Sequence, residues 1–514
     1  MLVRQGALLM SVDTPTSITV HIPTAKAIRY KNRNIVAVKH TLDSVRVLRN
    51  LGLNAPSPML YDGFLFGGRY KPMDHQAKTA EFLTLHKKAF VFNTMGTGKT
   101  AACLWTMDYL RQRGYVKRVL IISPLSVMDV WVNEAFNVVP QWGTVQLVGK
   151  RERRIQLLHS GADTAIINFD GLVSIQQEVL DWNPDLIIVD EADAYCNPQT
   201  KRYKALRKTI KVDTRLWLLS GTPVANAPTD AYGLIKLVNP SSIGASFSLF
   251  RETLMRRAGP YKWIPKPDSE KRVYELMQPA IRFTKKDCLD LPSITFSSRR
   301  CIMSDAQQQV FDDMKVSMKH EDKDAGYEIT AVNAAVKLIK LQQIMCGVVK
   351  DSNGDPVQLD PKNRLEEMEQ LVAGSEGKVI IFVPFVNAMH LVLNYLSGKY
   401  GVALVNGSVK KAERDEIFRR FQSDVATKVL IAHPKVASHG LTLTAANTII
   451  WYGPIFSVTQ YTQANARIDR TGQTLAMSVY NLWCHPVELA IYTLLQSRES
   501  MQSRIMQLYG EALA

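Results

Sequence analysis

Short runs of apolar and β-branched residues, bounded by turn or polar residues, recur along the first half of the chain. They are AFVFN (89–93), RVLIISP (118–124), TAIINF (164–169), DLIIVDE (185–191) and RLWLLSGTP (215–223), with helix-length stretches between several of them. Near-continuous hydrophobic runs predict strands covered on both faces, and their alternation with helices predicts a parallel sheet. The rhythm stops between Asn226 and Gly377, where the text reads mainly as helices, for example over 306–318 and 334–345. It resumes with KVIIFVP (378–384), VALVNG (402–407), KVLIAHP (428–434) and TIIWYGP (448–454). The pattern predicts an α/β protein with two parallel-sheet lobes and a helical insertion between them. After Pro486, Val487, Ile491, Leu494, Met501, Ile505 and Leu508 fall at near-helical spacing, as on a packing helix.

Residues 1–70 read differently. SITVHIP (17–23) and IVAVKH (35–40) look like strands, and LDSVRVLRNLGL (42–53) looks like a short helix ended by turn residues. The expected organisation is a small α+β domain over 1–70, a first lobe over 71–240, an insertion and linker over 241–360, and a second lobe with a terminal helix over 361–514.

Composition changes this picture in one respect. Among 514 residues, 46% are hydrophobic and 21% charged, an ordinary globular balance, but 63 Lys and Arg face 47 Asp and Glu. The resulting charge of +16 suits a polyanionic partner. Lys26, Arg29, Lys31, Arg33, Lys39, Arg46 and Arg49 concentrate part of it in the first segment, where a solvated face and a nucleic-acid surface are both open readings. Lys31 and Arg33 are the candidate DNA contacts there. Six scattered cysteines without a CxxC pair argue against a zinc site and for reduced thiols. No apolar run approaches the roughly 20 residues of a membrane helix. A cytoplasmic, monomeric protein is expected.

Candidate chemistry begins at AFVFNTMGTGKTAAC, where a buried strand runs into a Gly-rich turn and a helix opening at Lys99 and Thr100. Gly96 and Gly98, on either side of Thr97, let the backbone approach phosphate oxygens, while the helix N-terminus supplies a positive field. Lys99 would reach the β- and γ-phosphates of ATP, and the Thr100 hydroxyl would bind Mg²⁺. Asn93 stands where the GxxxxGKT motif has its first glycine. Ninety residues on, LIIVDEAD ends a second buried strand with Asp190 and Glu191. Beside a phosphate loop such a pair holds Mg²⁺ (Asp190) and polarises the attacking water (Glu191).

LLSGTPVAN (218–226) and QANARIDRTGQ (463–473) then decide between ATPase classes. In order along the chain, these motifs resemble the Swi/Snf-type ATPases of helicase superfamily two. KPMDHQ (71–76) is similar to that family's adenine-reading motif, which implies Gln76 as the base contact. LIISPLSVMDVWVNEAF (120–136) resembles its first DNA-tracking motif, which implies a role for Ser123 and Pro124. INFDGL (167–172), the linker-like TKKDCLDLPSITF (284–296) and KVIIFVPFVNAMHLVLNYL (378–396) follow the family order.

The resemblance implies two RecA-like lobes, ATP and Mg²⁺ as cofactors, and translocation on duplex or branched DNA. It implies Ser220, Thr222 and Gln463 as residues coupling hydrolysis to the nucleic-acid track. Arg467 and Arg470, read as three apart on one helical face, become arginine fingers facing the γ-phosphate. The chain departs from the family in its DEAD acidic motif, in KVASHGLTL, where only Gly440 of a glycine cluster remains for DNA tracking, and in lacking a Trp-Asn pair within GPIFSVTQYTQ (453–463). The short segment ahead of the first motif is similar to compact phage or bacterial relatives. Two other readings stay open: an RNA helicase of the DEAD-box type, favoured by the acidic spelling but opposed by SGTP, and an ATP-gated DNA-binding protein that blocks other complexes.

Overall fold

A computed structural model of the chain describes residues 1–497 except 5, 12–15, 31–32, 126, 222–226, 245, 260–261, 289–291, 323–326, 438–441 and 471. The chain divides into two compact units, the first ending at Cys288. No helix among the described residues is long and apolar enough to cross a membrane.

The first unit is built on a seven-stranded sheet. After β1 (Leu2–Arg4), β2 (Ala7–Ser11), β3 (Lys26–Tyr30) and β4 (Arg33–Lys39) come β5 (Lys88–Val91), β6 (Val119–Ser123), β7 (Thr144–Gln146), β8 (Thr164–Asn168), β9 (Leu186–Val189) and β10 (Arg215–Leu219). A hairpin, β11 (Met255–Arg257) with β12 (Trp263–Pro265), precedes β13 (Ala280–Ile281). The sheet order is β13-β5-β10-β9-β6-β8-β7, and every pairing is parallel. Successive residues point to opposite faces, so each strand feeds two cores. Ala89, Val91, Ile121, Ile188 and Trp217 join one core, and Phe90, Leu120, Ile187, Val189 and Leu218 the other. This explains why the strands read as unbroken apolar runs.

The first 70 residues form an antiparallel sheet, β1-β2-β4-β3, beside α2 (Leu42–Asn50). SITVHIP is not a strand: Thr16–Thr19 form the single turn α1, and Ile22 N donates to Ile18 O. Its β-branched residues suggest extension, but the buried pair Ile18 and Ile22 is four apart, and Val20 between them is exposed. Leu8, Met10, Val36, Val38, Val45 and Leu48 belong to the same core as one face of the large sheet. Ser57 Oγ meets Thr84 Oγ1 at 2.7 Å, and Arg46 donates to Thr84 O, on α3 (Asp74–Leu85). Burial, with Arg49 and Arg46 nearby, lowers the pKa of His86 just beyond that helix to about 4.

The second unit carries β14 (Ile294–Arg300), hairpins β15 (Lys319–Asp322) with β16 (Tyr327–Thr330) and β17 (Val348–Lys350) with β18 (Pro356–Gln358), then β19 (Lys378–Phe382), β20 (Gly401–Val405), β21 (Thr427–Ala432), β22 (Ala446–Trp451) and β23 (Met477–Trp483). Six of these form a second all-parallel sheet in the order β14-β23-β22-β19-β21-β20. The helices expected at 306–318 and 334–345 occupy Asp305–Ser317 and Ala334–Met345. The two hairpins of this unit, like β11–β12 of the first, escape a sequence reading because their strands are three or four residues long and mostly not buried. The terminal helix runs Pro486–Ser497; Met501, Ile505 and Leu508 lie outside the described residues.

Candidate active site

In an open parallel sheet, ligands bind beyond the carboxyl ends of the strands. Here the register fixes what meets there. Leu219 of β10 pairs with Val91 of β5, and Leu218 pairs with Val189 of β9. The residues that follow these three neighbouring strands are therefore the phosphate-loop sequence, Ser220 and Asp190. Ser220 N donates to Val91 O at 3.1 Å, and Asp190 N donates to Ile122 O at 2.8 Å.

The loop after β5 turns at Gly96 (φ 82°) and Gly98 (φ 77°) into α4 (Lys99–Gln112). Positive φ at two alternate positions gathers successive backbone N–H groups toward an anion, and only glycine adopts it without strain. Gly98 has a second constraint: a Cβ there would run into the Gln76 amide. Gln76 Nε2 donates to Thr97 O at 3.2 Å, and its Oε1 accepts from Met73 N at 3.0 Å, so the side chain of α3 rests on the loop. Lys99 Nζ donates to Asn93 O at 2.9 Å, above the loop's own carbonyls. Thr100, half-buried, is in the first turn of α4.

Asp190 is held from both sides. Its Oδ2 accepts from Trp131 Nε1 at 2.9 Å and its Oδ1 from Glu191 N at 3.0 Å. Trp131 is fully buried on α5 (Met128–Val138), the helix that follows Ser123 and Pro124. Glu191 adopts φ 50°, a left-handed turn that swings the chain off the strand end. Asp193, two residues on, is pushed up to about 6 by burial and, secondarily, by Asp190. Ser123 is itself fully buried, with its hydroxyl on Pro124 O at 3.3 Å, so the surface at this point is Pro124 and the exposed Leu125. Thr222 lies outside the described residues; Gly221, just before it, faces Met95 of the phosphate loop.

In the second unit, Arg467 and Arg470 do not share a helical face. The helix Val458–Asn465 ends with Ala466 as its cap. Leu443 N takes the carbonyl of Arg467 at 3.0 Å, and Gln473 Nε2 takes that of Ile468 at 3.2 Å, so no helix continues through these positions. Arg467 is only 2% exposed, whereas Arg470 is half-exposed, donating to Thr442 Oγ1 at 3.1 Å and to Ala466 O at 3.3 Å. Gln463 is buried. Gly440 and Lys31 lie outside the described residues, while Arg33 is exposed at the start of β4.

Comparison with known proteins follows this geometry. The profile of the SNF2-related domain matches residues 75–348, more than half the chain. The chain belongs to the SNF2-related family. The helicase conserved C-terminal domain matches residues 363–472. The Bacillus subtilis helicase/translocase-type protein YwqA is 26% identical over 82% of this chain and 46% of its own length. YqhH of Bacillus subtilis, an uncharacterized ATP-dependent helicase, is 22% identical over 88% of this chain and 82% of its own. The ATP-dependent DNA helicase DDM1 of Arabidopsis thaliana is 23% identical over 76% of this chain and 55% of its own. Against YwqA and DDM1, the chain spans about half the relative's length. Among solved structures, the Sulfolobus solfataricus SWI2/SNF2 ATPase core in complex with dsDNA aligns over 87% of this chain and 96% of that one, at 22% identity and a TM-score of 0.42.

Within this SNF2-related chain, three residues of the first unit and one of the second were not singled out as candidates from sequence. Trp131 holds Asp190, His75 meets Thr97 O at 2.8 Å, Asn93 anchors the loop, and Gln473 pins the turn after Arg467 through Ala446 O at 2.8 Å. All four lie inside quoted motifs, but their partners are distant in sequence. Their contacts become visible only once the strands are in register.

Proposed function

We propose that this chain is an ATP-driven motor on DNA, in which Lys99 binds the β- and γ-phosphates and Glu191 activates water. The observation that carries it is the register of β5, β10 and β9, which brings the phosphate loop, Ser220 and the Asp190–Glu191 pair to one sheet edge. The residues fit the group: two glycines shape an anion-binding turn, a lysine stands over it, and a carboxylate fixed by two donors lies beside it. Thr100 and Asp190 would hold Mg²⁺, which supplies charge compensation for the leaving phosphate when bound. Gln76 would read the adenine. Arg467 and Arg470 are the residues whose positive charge would stabilise the transition state.

DNA as the track follows from the family and the charge of +16. Within the first segment, the hairpin β3–β4 presents exposed Lys26, Arg29 and Arg33. This hairpin is the surface that recognises duplex or branched DNA. Because the segment shares a core with the first lobe, deletion is a poor probe and charge reversal a good one. Arg29→Glu/Arg33→Glu should lower affinity for a forked DNA about tenfold at low salt and flatten the salt slope, with unchanged melting. Equal affinity of the variant and wild type, at equal stability, removes the hairpin from the track. ATPase rates on single-stranded, duplex, forked and four-way DNA, with RNA as the control, test the substrate class; preferential stimulation by RNA would replace it.

A further inference from the structure

Asn93 occupies the position at which the phosphate-loop motif has glycine, and glycine could make none of the side-chain bonds seen there. The side chain is 1% exposed and bonded through both its amide nitrogen and its oxygen. Its Nδ2 donates to Thr79 Oγ1 on α3 at 2.9 Å, while the Thr79 hydroxyl donates onward to His75 O at 2.7 Å. Its Oδ1 accepts from Phe283 N at 2.9 Å. Phe283 lies just beyond β13, the strand that pairs with β5.

The bonding between these two stretches continues past the strands. Phe90 N donates to Pro279 O at 3.0 Å, Phe92 N to Ile281 O at 2.8 Å and Thr94 N to Phe283 O at 2.9 Å. Both main-chain groups of Phe283 are thus held by residues 93 and 94, at the start of the loop. Its ring lies 6.0 Å from that of His75, which bonds Thr97 O near the end of the loop. Meanwhile the Asn93 carbonyl receives Lys99 Nζ. One buried residue therefore touches the lysine of the nucleotide site, the helix carrying Gln76, and Phe283. Beyond Phe283 the chain forms a short helix, Lys285–Cys288, then passes into the second unit, whose first strand starts at Ile294.

We propose that Asn93 is a coupling residue, which transmits the state of the phosphate loop to the segment through which the chain leaves the first lobe. A buried side chain bonded on two sides has few alternative arrangements, so a shift of the loop on binding phosphate is passed to its partners rather than absorbed. The chemistry that drives the shift is a nucleoside triphosphate, so the inference rests on the nucleotide reading of this site. Coupling of this kind is demonstrated only by an element whose equilibrium the ligand changes.

The test is amide hydrogen exchange over residues 280–288 in the full chain, with and without a non-hydrolysable ATP analogue and Mg²⁺. In wild type, the analogue should change exchange at Phe283 and its neighbours about fivefold or more. Asn93→Ala should lose this response at saturating analogue. Asn93→Asp should keep it, because a carboxylate still accepts the Phe283 N–H, and Thr79→Val should keep it for the same reason. The ratio of DNA-stimulated to basal kcat should fall in Asn93→Ala and recover in Asn93→Asp. Identical exchange at 280–288 with and without bound analogue in wild type overturns the proposal, as does a full response in Asn93→Ala. Should Asn93→Ala fail to fold, the wild-type comparison still decides. Failure of a fluorescent analogue to bind wild type would instead refute the nucleotide reading itself.

Discussion

Replacing Glu488 by alanine should destabilise the second lobe severely. Glu488 is 0% exposed and Arg364 1% exposed, and Arg364 Nη2 donates to Glu488 Oε2 at 2.5 Å. The guanidinium also donates to Tyr452 O and, from Nε and Nη2, to Cys484 Sγ at 3.3 and 2.9 Å. Glu488 accepts a further bond from Cys484 N at 2.7 Å and lies in the first turn of the helix Pro486–Ser497, where a negative charge is favoured. Removing the carboxylate leaves a buried cation facing only neutral acceptors and a thiol. Breaking a buried pair in this way costs about 3–5 kcal/mol. For a lobe of this size each kcal/mol lowers Tm by about 2–4 °C, so a fall of roughly 6–20 °C is expected. Glu488→Gln keeps an acceptor and should fall less. Arg364→Met/Glu488→Leu removes both charges and should recover most of the loss, since apolar replacement of a buried pair is often neutral. Calorimetry on wild type and the three variants measures the series. A loss under about 1 kcal/mol in Glu488→Ala, or a double variant less stable than the single, refutes the reasoning.

Three further outcomes follow from the site. Trp131→Phe deletes one of the two donors on Asp190; a bond to a charged group is worth about 1.5–3 kcal/mol, so the Mg²⁺ needed for half-maximal analogue binding should rise about tenfold or more, and an unchanged Mg²⁺ dependence would contradict it. Arg470→Ala should lower kcat by about a hundredfold or more with little change in DNA-free ATP affinity, whereas Arg467→Ala, emptying a buried position, should also lower Tm; a pure affinity loss in Arg470→Ala at unchanged kcat would exclude a transition-state role. Asp193 has a folded pKa near 6, raised from 3.8, so the folded state binds the extra proton and the penalty of ionising it grows as pH rises from about 4 to 6 and persists above. Without metal, Asp193→Asn should therefore raise stability at pH 7.5, by at most about 3 kcal/mol, and by much less at pH 5; an equal effect at both would remove burial of charge as the cause.

The two sheets were legible in the sequence because strands buried on both faces leave long apolar runs, as at RLWLLSGTP and KVIIFVP. β14 was not. ITFSSRR is an edge strand whose side chains are almost all exposed, and its pairing with β23 spans nearly the whole second lobe. SITVHIP misled because three β-branched residues in four outweighed the spacing of Ile18 and Ile22. At the site, the loop glycines, Lys99 and the acidic pair could be read directly, since local spacing dictates their chemistry. The arginine pair could be located but not oriented: the helix that would have aligned it stops at Asn465, where Leu443 and Gln473, distant in sequence from the helix start, capture the next carbonyls. Asn93 looked like a defect in a motif until its partners Thr79 and Phe283 were in place.

The central claim is that the β5–β10–β9 edge hydrolyses ATP in response to DNA. Steady-state ATP turnover with and without duplex DNA, in wild type, Lys99→Ala and Glu191→Gln, tests it most directly. Wild type should be stimulated about tenfold or more, Lys99→Ala should be inactive in both conditions, and Glu191→Gln should bind the nucleotide yet turn over slowly. A wild-type rate indifferent to DNA, or wild-type turnover in Lys99→Ala, would contradict the account.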